Sequence, residues 1–301
     1  MEELCGVILV NKHKGVTSHD IVFKIRKLYG TKKVGHTGTL DPLATGVLPV
    51  LIGRGAKAAE YLLSENKAYR AEITLGLTTD TEDITGNILS KSDTLPSKNQ
   101  FFEALERFVG EIEQTPPMYS ALKVDGKKLC DLAREGKIIE REKRKITIFK
   151  IEPAVIDEAK GIYSLYVECS KGTYIRTLCA DIGAYLGCGA VMSELERVKS
   201  GDFDLKDAYT VEQLEKMTEE QKEDLVMPIE RLFMEAPEVI LSDFYSRLCH
   251  SGCEIYQSKI KTAYPVDTFI RISDKDGFFA LGQVKEYENG TAIKALKLFR
   301  L

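Results

Sequence analysis

Residues 35 to 46 are the part of this chain in which residue types and spacing best suit chemistry. They read Gly-His-Thr-Gly-Thr-Leu-Asp-Pro-Leu-Ala-Thr-Gly, with one carboxylate, Asp41, directly before a proline. Glycines let a backbone approach a ligand closely, and the Pro42 ring stiffens the chain right after the carboxylate. A carboxylate in a stiff loop suits nucleophilic or general-base chemistry, whereas an isolated Asp-Pro pair more often only starts a turn.

Motifs that would bind a cofactor or a metal ion are incomplete in this chain. Gly53-Arg-Gly55 lacks the third glycine of a dinucleotide loop, and no Gly-Lys-Ser/Thr phosphate loop is present. Asp80-Thr-Glu-Asp83 is followed by Ile84 at the third ligand position of a calcium loop. The four histidines and seven cysteines form no zinc-binding pattern. We therefore predict that the chain holds no metal and that its thiols are reduced and mostly buried.

The overall composition predicts a folded protein of the cytoplasm. Hydrophobic residues make up 44% of the chain and charged residues 29%, which is ordinary for a globular domain. The sequence has no apolar run near the ~20 residues that cross a bilayer. It opens with Met-Glu-Glu, whereas a signal peptide opens with basic residues.

The net charge of −4 hides two basic segments. Residues 11 to 33 contain seven basic residues and one acidic residue, and residues 119 to 150 contain ten and five. Residues 202 to 238 contain twelve acidic and four basic residues. An RNA partner is therefore compatible with the negative total, because binding depends on where cations face phosphates, although charge alone favours solvated surfaces.

Hydrophobic periodicity and turn residues predict the elements around the motif loop. Thr17-Ser18-His19-Asp20 indicates the start of a helix that ends at Gly30, and residues 35 to 55 are predicted as a glycine-rich, apolar loop region. Alternation predicts strands at 69–75, 146–151 and 162–169. The last strand leads through a glycine turn into a helix with Ile175, Leu178, Ile182 and Leu186 on one face. Beyond residue 235, three runs at 269–273, 278–285 and 292–299 predict β-hairpins.

Five dispersed motifs, in this order and spacing, resemble those of the bacterial tRNA pseudouridine synthase B (TruB) family. The first is the loop of residues 35 to 46, in which Thr39 stands where the family is expected to have alanine. The resemblance covers residues 1 to about 235 and is weak beyond them. The other matching stretches are Lys67-Ala-Tyr-Arg70 with Leu75-Gly76 and Thr79-Asp-Thr81, Pro117 to Lys123 with Gly126 to Leu129, Cys169 to Thr177, and Leu186 to Ala190 with Leu195-Glu-Arg197.

The resemblance implies an α+β fold with a pseudouridine synthase-like mixed, largely antiparallel sheet and flanking helices. The catalytic domain would span residues 1–235, with a basic tRNA-gripping insertion at about 119–145. Residues 240–301 would form a small β-rich PUA-like RNA-binding domain. The implied reaction isomerises uridine to pseudouridine at position 55 in the T loop of tRNA.

The resemblance also implies the roles of individual residues. Asp41 would be the essential carboxylate, paired with Arg176, and whether it attacks the sugar, attacks the base or removes a proton stays open. Tyr69 would stack on the flipped uracil, and Tyr174 would lie in the pocket, where it could bond to the base or transfer a proton. His36 would fill the space that the base leaves, and Leu195 would line the pocket.

The predicted partner is the T stem-loop of tRNA. Because the isomerisation involves no redox change and no energy input, we expect no cofactor. We also expect a monomer without an obligatory protein partner. Candidate phosphate contacts are basic residues of the two basic segments: Lys12, Lys32, Lys33, Lys123, Lys127, Lys128, Arg141, Lys143, Arg144 and Lys145.

Two other functions are compatible with the same loop. The chain could be an RNA-binding protein without catalytic activity, although Asp41, Tyr69, Tyr174 and Arg176 are all present. It could also be a hydrolase with Asp41 as nucleophile, which would need a second carboxylate such as Asp80 or Asp83.

Overall fold

A computed structural model describes residues 4–61, 66–120, 122–124, 126–137 and 139–300. Its strands, in chain order, are β1 (Gly6–Lys12), β2 (Val34–His36), β3 (Thr45–Ile52), β4 (Lys67–Leu75), β5 (Leu77–Thr79), β6 (Ile88–Lys91), β7 (Gly110–Gln114), β8 (Lys123–Val124), β9 (Lys127–Lys128), β10 (Arg144–Asp157), β11 (Ile162–Cys169), β12 (Ala190–Ser200), β13 (Phe203–Asp204), β14 (Met227–Pro228), β15 (Glu238–Ile240), β16 (Ile255–Tyr256), β17 (Phe269–Asp274), β18 (Gly277–Tyr287) and β19 (Gly290–Leu298). Its α-helices are α1 (Ser18–Leu28), α2 (Lys98–Leu105), α3 (Leu129–Arg134), α4 (Ile175–Leu186), α5 (Val211–Glu215), α6 (Glu219–Asp224), α7 (Asp243–His250) and α8 (Gln257–Ile260).

The main sheet places the termini of its central strands beside the motif loop. Its order is β14-β1-β3-β12-β4-β11-β10-β7, with β2 also paired to β3 and β13 to β12. The β3–β12 pair is parallel, and the other pairs described in this sheet are antiparallel. The predicted mixed, largely antiparallel sheet is therefore confirmed.

Local sequence signals explain the helices that flank the site. Thr17 caps α1 through a capping box with Asp20, as the sequence predicts. The predicted strand at 162–169 is β11, and the helix after it is α4, which ends at Gly187 in the left-handed conformation.

The prediction of a loop across residues 35 to 55 is wrong for its second half. Residues 45–52 form β3, with Leu48 and Val50 packed on one face of the sheet and Val47 and Leu51 on the other. A strand buried on both faces is a continuous apolar run without alternation, so periodicity does not reveal it.

A second sheet of the order β15-β17-β18-β19-β16 begins at Glu238. It contains the three predicted hairpin strands, with turns at residues 275–276 and 288–289. Leu281 and Phe299 of this region pack with Phe233 and with Val47 and Leu51 of β3. The domain boundary between 235 and 240 and the PUA-like character of this unit stay predictions. In the described residues, no helix is long and apolar enough to span a membrane.

Candidate active site

Asp41 and Arg176 form an ion pair, although 135 positions of the sequence separate them. Arg176 Nε lies 3.0 Å from Asp41 Oδ2. The Arg176 side chain is 5% exposed and that of Asp41 is 39% exposed. The buried guanidinium therefore fixes a carboxylate that a substrate can still reach, as the resemblance implies.

The guanidinium of Arg176 is also held by the segment that follows β5 and by the backbone of Tyr119. It donates to the carbonyl groups of Thr81, at 3.0 Å, and Tyr119, at 2.8 Å. Its Nη1 lies 3.7 Å from the buried carboxylate of Asp83. Asp83 Oδ1 in turn accepts hydrogen bonds from Thr81 Oγ1 and from the backbone and hydroxyl of Thr85. These contacts leave Arg176 one orientation toward Asp41.

Helix α1 fixes the chain just before Asp41. The buried Ser18 hydroxyl donates to the Leu40 carbonyl at 3.1 Å and accepts from the Leu40 N–H at 2.8 Å. Beyond Asp41, the Gly15 N–H donates to the Pro42 carbonyl, and Ala44 N–H donates to the Asp41 carbonyl. The loop is thus tied to its neighbours on both sides of the carboxylate.

Lys12 lies inside the protein, which contradicts the surface position that a phosphate contact requires. Its side chain is fully buried, and Nζ donates to the carbonyl groups of Ala44, at 2.5 Å, and His13, at 3.1 Å. Burial lowers the pKa of Lys12 to about 8, while the charge of Asp41 opposes this shift. The structure assigns Lys12 to the support of the motif loop, because its donors are directed at that loop.

Tyr69 lies in β4 and is 7% exposed. Burial raises the pKa of its hydroxyl to about 12, and polar contact with the Arg197 guanidinium opposes that rise. The charge of Asp41 also raises the pKa of this hydroxyl slightly. Only a small part of the Tyr69 ring is therefore open to a stacked base.

Arg197 is a buried polar residue at this site to which the sequence analysis gave no role. It is fully buried, and it donates from Nε to the Val47 carbonyl at 2.8 Å and from Nη2 to the Gly38 carbonyl at 3.3 Å. The available sequence signal was alternation, since Arg197 shares a strand face with Leu195 and therefore points inward.

Tyr174 is the residue before α4 and is half-buried. The buried Gln114 side chain accepts from its N–H at 2.8 Å and donates to its carbonyl at 3.0 Å. Burial raises the pKa of the Tyr174 hydroxyl, so the group is protonated at neutral pH. Tyr174 lies two residues before Arg176 at the start of α4, which places it beside the Asp41–Arg176 pair.

His36 ends β2, and its side chain is partly buried. Burial and the nearby Arg197 charge lower its pKa, so the ring is neutral at neutral pH. Its Nδ1 is buried without a hydrogen-bond partner in the described residues. A neutral ring can occupy space or accept a hydrogen bond without titrating.

Leu195 lies in β12 and is 7% exposed. It stands opposite Ala71 of β4, and its carbonyl group accepts a hydrogen bond from Thr45 Oγ1 at 3.4 Å. Its side chain belongs to the same apolar cluster as Tyr69. The position is compatible with a pocket wall and also with core packing.

The predicted basic insertion contains the β8–β9 hairpin and α3. Lys127 is exposed there, whereas the side chains of Lys123 and Lys128 lie outside the described part of the chain. Lys143 and Lys145 form exposed ion pairs with Glu113 and Glu111 of β7, and weak surface pairs of this kind do not exclude phosphate contacts. Among the described residues, no group of three or more His, Cys, Asp or Glu side chains is arranged to hold a metal ion.

Two family models match most of the chain. The model of the TruB family pseudouridylate synthase N-terminal domain matches residues 26–175, and that of the tRNA pseudouridylate synthase B C-terminal domain matches residues 176–234. A tRNA pseudouridine synthase B of Alkaliphilus oremlandii is 45% identical over 97% of this chain and 98% of its own length. The protein of the same name from Clostridioides difficile is 42% identical over 97% and 99%.

Solved structures share the fold across nearly the whole chain. An H/ACA ribonucleoprotein bound to a substrate RNA containing 2'-deoxyuridine includes a chain with 26% identity and a TM-score of 0.73, over 98% of this chain and 85% of that chain. A Cbf5-Nop10-Gar1 complex gives 28% identity and a TM-score of 0.73 over the same shares. The family models and the high-coverage relatives show that this chain belongs to the TruB family of tRNA pseudouridine synthases.

Proposed function

We propose that this enzyme isomerises the uridine at position 55 in the T loop of tRNA. Its family forms pseudouridine from uridine in tRNA. The observation that carries the chemical part of the proposal is the 3.0 Å pair between buried Arg176 and accessible Asp41. The T-loop position rests on the resemblance of the motifs.

The reaction breaks the bond between C1′ and N1, turns the uracil and joins C5 to C1′. Asp41 is the carboxylate that attacks C1′, attacks C6 of the base or removes the 2′ proton, and each route needs its ionised form. Arg176 favours that form, because a guanidinium at contact distance stabilises a carboxylate and fixes its orientation. The isomerisation changes no oxidation state, so the chain's own groups suffice and no cofactor is proposed.

The target base has to leave its stack to reach Asp41. Unstacking costs a few kcal/mol, and a stacked aromatic ring returns about 1–3 kcal/mol. We assign this ring to Tyr69, with Leu195 as a pocket wall. His36, neutral and partly buried, fills the space that the base leaves. Tyr174 donates a hydrogen bond or carries a proton near C5, which its protonated hydroxyl permits.

The RNA surface is proposed to include the exposed side chain of Lys127 and the insertion around it. Phosphate contacts there would supply affinity that depends on salt, and the shape of the T loop would supply specificity. Lys123 and Lys128 keep their assignment as phosphate contacts from the sequence. Lys12 does not, because it is buried under Ala44.

The geometry gives a hydrolase little support. Asp83 uses Oδ1 to accept three hydrogen bonds and faces Arg176 with Oδ2. Asp80 accepts two from the backbone and side chain of Asn87. Both carboxyl groups act as acceptors, whereas the acid of a glycosidase has to hold a proton for its leaving group.

The deciding experiment measures tritium release from tRNA transcripts labelled at uridine C5, with wild type and Asp41→Asn at equal tRNA occupancy. We expect release by wild type and none by Asp41→Asn, because C5 loses its hydrogen only if the isomerisation occurs. A transcript with cytidine at position 55 should give no release from that site. Asp243→Asn, an exposed change on α7, is the matched control and should leave release unchanged.

The outcomes separate the candidate functions. Free uracil in the product would indicate hydrolysis and would refute isomerisation. Tight binding without release by wild type would replace the enzyme with an RNA-binding protein. Release that persists when position 55 is cytidine would contradict the assigned site.

We also propose that the enzyme acts in the cytoplasm as a monomer without an obligatory protein partner. We propose that this chain needs no partner, in contrast to a related solved structure that is a Cbf5-Nop10-Gar1 complex. Turnover by the purified chain, with its mass measured by light scattering, tests this point. Activity that appears only after a second protein is added would contradict it.

A further inference from the structure

Arg197 is a buried cation that forms no ion pair with an acid in the described part of the chain. Its side chain is fully buried, and no carboxylate forms an ion pair with it among the residues described. Burial lowers the pKa of this guanidinium below its ordinary value, which reflects the cost of desolvating the charge. A buried cation without a counter-charge adds little to stability, so its use has to be sought in what its donors hold.

The donors of Arg197 hold the backbone on both sides of Asp41. Arg197 stands directly opposite Tyr69 in the β12–β4 register, so the two side chains share a face of the sheet. The carbonyl groups of Gly38 and Val47, on either side of Asp41 in sequence, fix the guanidinium. Arg197 is thus the cross-strand neighbour of Tyr69, and polar interaction with its guanidinium opposes the rise in the pKa of the Tyr69 hydroxyl.

The chemistry of the two groups sets the direction of their contact. A guanidinium has N–H donors and no acceptor, so in a hydrogen bond between the two side chains the Tyr69 oxygen would be the acceptor. The hydroxyl hydrogen of Tyr69 is then left to donate to a third group. Burial keeps this hydroxyl protonated at neutral pH, and an accepted hydrogen bond makes it a better donor.

We propose that Arg197 is a positioning residue that orients the Tyr69 hydroxyl, so that its hydrogen is presented to the edge of the bound uridine nucleotide and not to the face of the base that stacks on the ring. The proposal rests on the proposed function, because it presumes that the base lies against Tyr69. If Arg197 only supported the loop, its replacement would lower the rate whether or not the Tyr69 oxygen is present. In the proposed role, Arg197 affects the rate only through that oxygen.

A double-mutant cycle tests this dependence. Single-turnover rates at saturating tRNA and separate tRNA Kd values are measured for wild type, Arg197→Lys, Tyr69→Phe and the double variant. Lysine keeps the charge and loses the fork of donors that holds the hydroxyl. We expect Arg197→Lys to lower the rate about 100-fold with a nearly unchanged Kd, since a small misplacement of a reacting group has that effect.

The Tyr69→Phe background gives the decisive comparison. We expect Tyr69→Phe to lower the single-turnover rate about as much as Arg197→Lys does. The rate of the double variant should then be at most about threefold lower than that of Tyr69→Phe alone. Equal 100-fold losses in both backgrounds would mean that Arg197 acts independently of the hydroxyl, which would overturn the proposal. Arg70→Lys is the matched control, because Arg70 lies on the exposed, opposite face of β4 and pairs with Glu196.

Folding is checked by circular dichroism and thermal midpoint before rates are compared. Arg197→Gln, which keeps an N–H donor without the charge, is the second variant if lysine is not tolerated. If neither folds, Tyr69→Phe alone decides, because an unchanged single-turnover rate would leave no hydroxyl to orient and would overturn the proposal. Failure of the proposed function is distinguishable, since wild type itself would then form no pseudouridine.

Discussion

The position of Asp41 depends on buried polar side chains that hold the backbone of its loop. Ser18 binds Leu40 on one side, and Lys12 binds the Ala44 carbonyl on the other. Each buried donor satisfies a carbonyl that would otherwise be removed from water without a partner, at a cost of about 1–3 kcal/mol. The carboxylate is therefore rigid because its neighbours are rigid, and its own side chain stays accessible.

Lys12 gives a prediction about pH and stability. Its pKa is about 8 in the folded protein and ordinary when unfolded, so between about pH 8 and 10.5 the unfolded chain binds a proton that the folded chain lacks. The free energy of unfolding of wild type should therefore rise through this range relative to Lys12→Met. The measurement is urea unfolding of both proteins at pH 7, 8, 9 and 10.

A constant difference between the two proteins over these pH values would contradict the assignment. Lys12→Met should also be less stable than wild type at every pH, because the Ala44 carbonyl loses its donor. The matched control is Lys57→Met, whose exposed side chain should give no such dependence.

Two elements meet where Tyr174 enters the site. Strand β7 ends in the buried Gln114, and its amide satisfies both backbone groups of Tyr174 at the start of α4. The first turn of α4 carries Arg176 and Thr177, and the Thr177 hydroxyl donates to Glu82 Oε2 at 2.5 Å. The Gln114 side chain thus joins the end of β7 to the start of α4, two residues before Arg176.

Gln114→Glu tests the junction. The carboxylate still accepts from the Tyr174 N–H but cannot donate to its carbonyl, and it places a charge in a buried position. We expect the free energy of unfolding to fall by about 1–3 kcal/mol and the turnover rate to fall as well. Urea unfolding and tritium release measure the two effects.

Gln213→Glu is the control for this change. Gln213 closes the capping box of α5, where glutamate serves as well as glutamine, so both stability and turnover should be retained. An unaffected Gln114→Glu variant would show that the junction does not position Tyr174.

The two sheets of the molecule share an apolar cluster. Phe233, which precedes the second sheet, stacks against Phe299 at 5.9 Å, and Phe299 stacks against Phe278 at 5.6 Å. These rings pack on one face of β1 and β3. The apolar residues of the motif loop pack on the opposite face. The pair of Arg271 with Glu230 adds a polar link at the same boundary. The second sheet therefore covers the back of the strands that hold the site.

Phe299→Ala should weaken this connection. Truncating a buried phenylalanine typically costs about 3–5 kcal/mol, and here the cavity would open between the two sheets. We expect a lower thermal midpoint and a calorimetric transition that splits or broadens as the second sheet separates first. Phe244→Ala, an exposed change on α7, should shift stability by no more than about 0.5 kcal/mol. A single sharp transition at the wild-type midpoint would contradict the shared cluster.

The sequence by itself determined much of the local structure. The capping box at Thr17 and Asp20 and the alternation of residues 162–169 are short-range patterns, and the structure confirms both. The motif loop identified Asp41 and the family resemblance, because glycine permits backbone conformations that other residues avoid and proline fixes φ wherever it stands.

Tertiary structure decided which polar residues are buried and which are exposed. Lys12 and Lys127 are the same residue type in basic segments, yet one is buried and the other is exposed. Hydrophobic periodicity did not predict strand β3, because both of its faces are buried and its residues do not alternate. Arg176 meets Asp41, and Arg197 meets Tyr69, only through pairing across the sheet and the packing of α4. Burial and long-range hydrogen bonds depend on which strands become neighbours, and that choice is made by the whole chain.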